Sequence, residues 1–124
     1  MGRKDVEELK GRTKRFAWEV IRLVDKLPGR RSTDVIGKQI LRSATSIGAN
    51  YRAACKARSI AEFVSKIHIV VEEADETEYW LELLNLSGAI ESIEFEKLHR
   101  ESSELTAIFV SSEKTARTHR DSMK

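Results

Sequence analysis

The chain has 124 residues, of which 40% are hydrophobic and 34% charged, a composition that supports one folded domain with one core. One Pro and six Gly are too few turn residues for a β-rich domain, so helices are favoured. No apolar run approaches the ~18 residues of a membrane span, and no apolar signal region follows the charged N-terminus. A single cysteine, Cys55, excludes an internal disulfide and favours a reducing cytoplasm.

The charge is unevenly distributed, although the net charge is only +2. Residues 1–60 contain 15 Lys and Arg against 6 Asp and Glu, whereas residues 61–124 contain 7 against 14. This asymmetry indicates either contact with nucleic acid or pairing of the two halves with each other. Both interpretations stay open at the level of sequence.

The first predicted helix has an apolar stripe at helical spacing. It starts at Val6 or at Arg12 and runs to Leu27. Pro28 and Gly29 follow directly and end it.

The second helix is predicted from about Asp34 to Arg58, with Ser32 or Thr33 as its N-cap. Its segment 43–50 consists of small residues that, apart from Ala, are poor helix formers. The apolar spacing nevertheless continues through this segment without interruption. We therefore predict one continuous helix, whose small side chains let a neighbouring helix approach closely.

The third helix is predicted from about Ile60 to Leu86. Ser59 and Glu62 match a capping box at its start, and Gly88 lies where a C-cap glycine belongs. The fourth helix is predicted from about Ser92 to Thr115. Short connections between four amphipathic helices predict an all-α, antiparallel up-down four-helix bundle.

Residues 1–124 are thus expected to form one domain, with flexible ends at about 1–10 and 115–124. The second helix carries the clearest candidate site on this bundle. On a helical wheel its cations fall within about 40° of one line, opposite the apolar stripe. They are Lys38, Arg42, Arg52 and Lys56, and Arg30 and Arg31 in the preceding loop are secondary candidates.

Such a row can follow phosphates through counterion release. Little aromatic interleaving is present, so binding is expected to be directed at the backbone and weakly sequence-specific. The alternative is a solvated or salt-bridged helix face.

Acidic residues crowd the third helix, and the wheel divides them. Glu73 and Glu76 lie near one side, whereas Asp75 and Glu78 lie near another. Some of these carboxylates are expected to pair with Arg42, or with Arg52, across helices or across subunits.

No convincing catalytic set accompanies these charges, and we predict a non-enzymatic protein. Glu96 and His99 match the Glu-x-x-His of di-iron bundles, but those sites need a second copy that this chain lacks. A chance match is favoured, so neither a metal nor a cofactor is expected. Cys55 has cationic neighbours but no His nearby in sequence, and a plain helix cysteine is the better interpretation.

Three segments, in order, resemble a known family. They are 39–51 with 59–63, then 73–84, then 104–108 with 114–117. Together they resemble the four-helix-bundle proteins named after 23S rRNA intervening sequences, over roughly Phe16 to Arg117. One departure is Gly48, since many relatives have a proline near this position, and the bend of the second helix is expected to be softer here.

The resemblance implies an up-down bundle that assembles as a ring-shaped homopentamer and has no established enzymatic activity. The family is also similar to the accessory variability protein of diversity-generating retroelements, which works with a reverse transcriptase and binds nucleic acid through a basic surface. Some residues sit at motif positions and are expected to make structural or interface contacts: Arg42, Asn50, Glu73, Glu76 and Trp80.

Two functional hypotheses follow. The first is a pentameric accessory protein that binds RNA or DNA through the basic row of the second helix. The second is a protein-interaction scaffold, for example a reverse-transcriptase partner, that binds no nucleic acid itself. In the second hypothesis the basic row faces the acidic third helix of a neighbouring subunit.

Overall fold

A computed structural model describes residues 2–123. Four helices account for their regular structure: α1 (Arg3–Asp25), α2 (Arg31–Cys55), α3 (Ile60–Leu86) and α4 (Ser92–Ser122). Each helix packs against the next one in the chain, and α1 also contacts α4. The chain therefore runs up and down around one core, which confirms the predicted all-α four-helix bundle.

The core lies where the four apolar stripes meet. Its largest fully buried side chains include Phe16, Ile40, Tyr51, Leu81 and Phe109. The Tyr51 and Phe109 rings join α2 to α4, with their centroids 5.2 Å apart. Full burial of each such apolar side chain contributes roughly 1.5–3 kcal/mol, so the shared core stabilises helices whose propensities alone are marginal.

The segment 43–50 is helical, as predicted, because its apolar side chains face this core. Gly48 lies at the contact between α2 and α1. A Cβ atom at this position would lie 3.0 Å from Thr13 Oγ1 and 3.3 Å from Thr13 Cβ. The missing side chain therefore sets how closely α1 approaches α2.

The start of α2 differs from the prediction. Arg30, rather than Ser32 or Thr33, is the N-cap. Thr33 lies within the first turn, where its hydroxyl accepts a hydrogen bond from the Arg30 N–H at 3.2 Å and donates one to the Pro28 carbonyl at 2.5 Å. The predicted cap was wrong because the Thr33 hydroxyl reaches back into the loop and ties it to the helix. At the other end, α2 stops at Cys55 instead of Arg58.

Both ends of α3 lie where predicted, and one of the two hydrogen bonds of the predicted capping box is shown. The Ser59 hydroxyl accepts a hydrogen bond from the Glu62 N–H at 3.1 Å. Gly88 has a φ of +75°, the left-handed conformation that glycine adopts without penalty. The Ala89 N–H then reaches the Leu84 carbonyl at 3.3 Å, which completes a Schellman motif.

The outer helices differ from the prediction at their ends, and α1 ends at Asp25 instead of the predicted Leu27. Helix α1 extends back to Arg3 because Leu9 joins the core, only 7% exposed. Helix α4 continues past Thr115 to Ser122, supported by an i,i+4 ion pair between Arg117 and Glu113. The first and last residues of the predicted flexible ends, 1 and 124, lie outside the described residues. None of the helices within 2–123 is long and apolar enough to span a membrane.

Candidate nucleic-acid interface

The outer face of α2 is the candidate interface, because it points away from the core that the opposite face builds. Lys38, Arg52 and Lys56 are exposed on this face, and none of them forms an ion pair with any residue of 2–123. Lys38 and Lys56 lie about 27 Å apart along the helix. Thr45 and Ala49, small and exposed, lie between the two ends of the row. The cations are therefore divided into two groups with an open surface between them.

Arg42 is arranged differently from the other cations of the row. One guanidinium nitrogen contacts Glu73 Oε2 at 2.9 Å, and another contacts Glu76 Oε1 at 2.5 Å. The Trp80 indole N–H also donates to Glu76 Oε1, at 3.1 Å. The Arg42 hydrogen bond, helped by Trp80, holds the pKa of Glu76 below its ordinary value despite partial burial of the carboxylate. Two carboxylates thus offset the charge of Arg42 locally.

The structure joins four of the five motif residues into this single network between α2 and α3. Asn50 stays outside it, since its amide donates to the Ser46 carbonyl of the same helix at 2.9 Å. Beneath the network, the Thr77 hydroxyl donates to Ser43 Oγ at 2.9 Å, and both residues are fully buried. The α2–α3 seam therefore combines a buried hydroxyl pair with a half-exposed ion pair.

The loop cations extend the row at its upstream end. Arg31 is the first residue of α2, and on the helical wheel it lies within about 20° of Lys38. Arg30 and Arg31 are exposed and form no ion pair within the described part of the chain. The positive end of the helix macrodipole adds to their charge.

The outer face of α1 carries a feature that sequence reasoning missed. Trp18 is 58% exposed and lies opposite the buried stripe of its helix. Lys14 and Arg22, one turn before and one turn after Trp18, are exposed and have no ion pair among residues 2–123. An indole flanked by free cations can stack on a nucleobase. The i, i+4 spacing of these three residues was the signal in the sequence.

A separate cleft of about 1080 Å³ lies at the end of the bundle where α2 ends and α3 begins. Its lining is mainly apolar and includes Val6, Phe63 and Ile108, with Cys55 beside Tyr51. Burial, followed by a hydrogen bond with Cys55, raises the pKa of the Tyr51 phenol. Such a phenol stays neutral, so the cleft suits apolar groups, and its lining contains none of Lys38, Arg42, Arg52 and Lys56.

The fold and its surface define a small up-down helical bundle with a row of exposed cations on one helix. A protein-family model described as 23S rRNA-intervening sequence protein matches residues 8–111. The chain therefore belongs to that family, as the three sequence segments predicted.

The solved structures agree with this assignment. The chain is similar to the crystal structure of a protein with unknown function from the S23 ribosomal protein family of Bacteroides thetaiotaomicron. The two are 39% identical over 88% of this chain and 97% of that one, with a TM-score of 0.81. A comparison with curated proteins finds no match.

Proposed function

We propose that this protein is a non-enzymatic homo-oligomer that binds RNA or DNA through the outer face of α2. The observation that carries the proposal is the row of exposed cations without ion pairs that lies along this one face, opposite the core. Cations on the flanks of helices find carboxylates within the chain: Arg12 contacts Glu101, and Lys26 contacts Glu94. Lys38, Arg52 and Lys56 find none among residues 2–123, so their charge is available to an external polyanion.

Binding of this kind takes its free energy largely from counterion release. The logarithm of the binding constant for duplex DNA falls with the logarithm of salt concentration by about 0.9 for each neutralised phosphate. Removing one contacting cation should therefore reduce that slope by about 1. Contacts to phosphates carry no base information, so the preference for sequence should be weak.

Assembly into an oligomer would place several copies of the basic α2 face on one particle. The family resemblance supports a homopentamer, and five copies of the α2 face would bind with avidity that one copy lacks. Light scattering coupled to size exclusion tests this part of the proposal, with five copies of a 14.1 kDa chain as the expected mass. The proposed setting is the cytoplasm, where RNA and DNA are both accessible.

The experiment is a salt titration of binding to a structured RNA and to a DNA duplex. A triple variant, K38Q/R52Q/K56Q, should lose about 3 from the slope for duplex DNA for each subunit that contacts the duplex, and bind more weakly at low salt. The matched control is K114Q, which removes an exposed lysine of α4 that forms no ion pair within 2–123. Wild-type protein that fails to bind at low salt, or a triple variant with an unchanged slope, would contradict the proposal.

The second candidate is a protein-interaction scaffold, for example a partner of a reverse transcriptase. It is favoured by Arg42, whose contacts with Glu73 and Glu76 demonstrate that carboxylates of α3 suit the cations of α2. In this case the row would pair with acidic helices of neighbouring subunits. The same triple variant would then disrupt the oligomer, and neither the wild type nor the variant would bind nucleic acid.

A further inference from the structure

A mixed cluster of metal-binding side chains lies on the opposite side of α3 from the Arg42 network. It consists of Glu78 and Glu82, one turn apart on α3, and His99 of α4. One donor atom from each residue lies within 4.8 Å of the other two. His99 Nε2 is already 2.9 Å from Glu82 Oε2. From this geometry we infer that these three residues bind a Zn²⁺ ion that bridges α3 and α4.

The donor set suits zinc. Zn²⁺ accepts imidazole nitrogen and carboxylate oxygen together, and a three-ligand protein site leaves one position for water. Donor atoms around a tetrahedral zinc lie about 3.4 Å apart, given metal–ligand distances near 2.1 Å. Small rotations of the two glutamate side chains would bring the donor atoms to that spacing, with the His99–Glu82 pair opening slightly from its present 2.9 Å. Mg²⁺ prefers oxygen ligands in octahedral geometry and would not need His99.

Neighbouring residues hold two of the ligands in place. The Ser103 hydroxyl donates to Glu78 Oε1 at 2.5 Å, and the Phe95 ring lies 5.0 Å from the His99 ring, centroid to centroid. Such outer contacts orient metal ligands. No Lys or Arg of residues 2–123 forms an ion pair with Glu78 or Glu82, so the two carboxylates have only His99 beside them as a nitrogen donor. This excess negative charge favours a cation at the cluster.

The cluster differs from the di-iron pattern in the sequence. Glu96 lines a shallow cleft with Arg15 and Phe16 of α1, whereas His99 faces α3. The two residues of the Glu-x-x-His pattern thus point towards different helices. The actual partners of His99 come from α3, and they lie too far from His99 in the sequence to belong to one short motif.

The test is calorimetric titration of untagged protein with ZnCl₂ at neutral pH, in the absence of chelators. We expect one ion per chain, and a rise in melting temperature that EDTA reverses. H99A should weaken zinc binding at least about 10- to 100-fold, the loss typical of changing even an outer contact of a metal site. E82Q should behave in the same way, and millimolar MgCl₂ should not compete.

Two variants serve as controls. E96Q should bind zinc like the wild type, because Glu96 faces α1. H68A should also bind normally, although His68 likewise lies close to carboxylates, 3.2 Å from Glu113 and 3.8 Å from Glu72. A Co²⁺ spectrum of the wild type gives an independent readout of tetrahedral nitrogen and oxygen coordination. Absence of saturable zinc binding, wild-type affinity in H99A, or loss confined to H68A would overturn the inference.

Discussion

Gly48 gives the sharpest test of how α1 and α2 pack. In a solvated helix interior, Gly to Ala stabilises by up to about 1 kcal/mol because alanine has the higher helix propensity. At position 48 the new Cβ would lie 3.0 Å from Thr13 Oγ1. Thr13 is fully buried, and its hydroxyl donates to the Leu9 carbonyl at 2.9 Å. The threonine therefore cannot move aside without losing this bond or displacing α1.

The gain in helix propensity and the close contact with Thr13 oppose each other, and the contact should have the larger effect. Overpacking in a tight core costs about 1–3 kcal/mol, which exceeds the gain in helix propensity. We expect G48A to reduce the free energy of unfolding by about 1 kcal/mol. Gly11 of α1 is the matched control, since a Cβ there meets nothing within 4 Å. G11A should stabilise by about 0.5–1 kcal/mol.

The assay is urea or thermal unfolding of both variants at one protein concentration, which matters for any oligomer. A gap of about 2 kcal/mol between them corresponds to roughly 8 °C in melting temperature for a chain of this size. Combining G48A with T13A should remove the penalty, with a coupling energy of about 1–2 kcal/mol. A G48A variant as stable as G11A would refute the reasoning.

Three further substitutions probe the seam and the turn. T77V should cost about 1 kcal/mol in urea unfolding, because Ser43 loses its buried donor. R42Q should lower the free energy of unfolding by less than about 1 kcal/mol, since the ion pair is half-exposed. This loss should be largest above about pH 5 and should vanish as the pH falls through the lowered pKa of Glu76. Denaturation midpoints measured against pH test it. G88A should cost about 1–2 kcal/mol in melting experiments, because its φ of +75° strains alanine.

The acidic residues of α3 mark how far the sequence could predict these contacts. The helical wheel placed Glu73 and Glu76 on one side and Glu78 on the other. In the structure the first pair contacts Arg42 of α2, whereas Glu78 accepts from Ser103 of α4. Which side of α3 faces which neighbour depends on the hand in which the bundle turns. Apolar periodicity is the same for both hands, so the sequence predicted the division but not the partners.

The cluster of His99 was missed for the same reason, since its carboxylates come from another helix. Some helix termini were predicted wrongly for a different reason. At Ser59 and Gly88, where a serine hydroxyl and a glycine determine the ends of α3 locally, the sequence predicted the ends correctly. At Thr33 a hydroxyl within the first turn bonds back to the loop, and residue type alone does not distinguish this arrangement from an N-cap.

The cations of the chain fall into two groups. Cations on helix flanks lie within reach of the next helix and pair with acids of the second half, as Arg42 does with Glu73. Lys38 and Lys56 lie at the outermost line of α2, opposite its core stripe, and form no ion pair with any described residue. Internal pairing therefore accounts for the flanks alone. The charge at the outermost line needs an external partner or solvent, and the salt slope of the Lys38 and Lys56 variants distinguishes between these two.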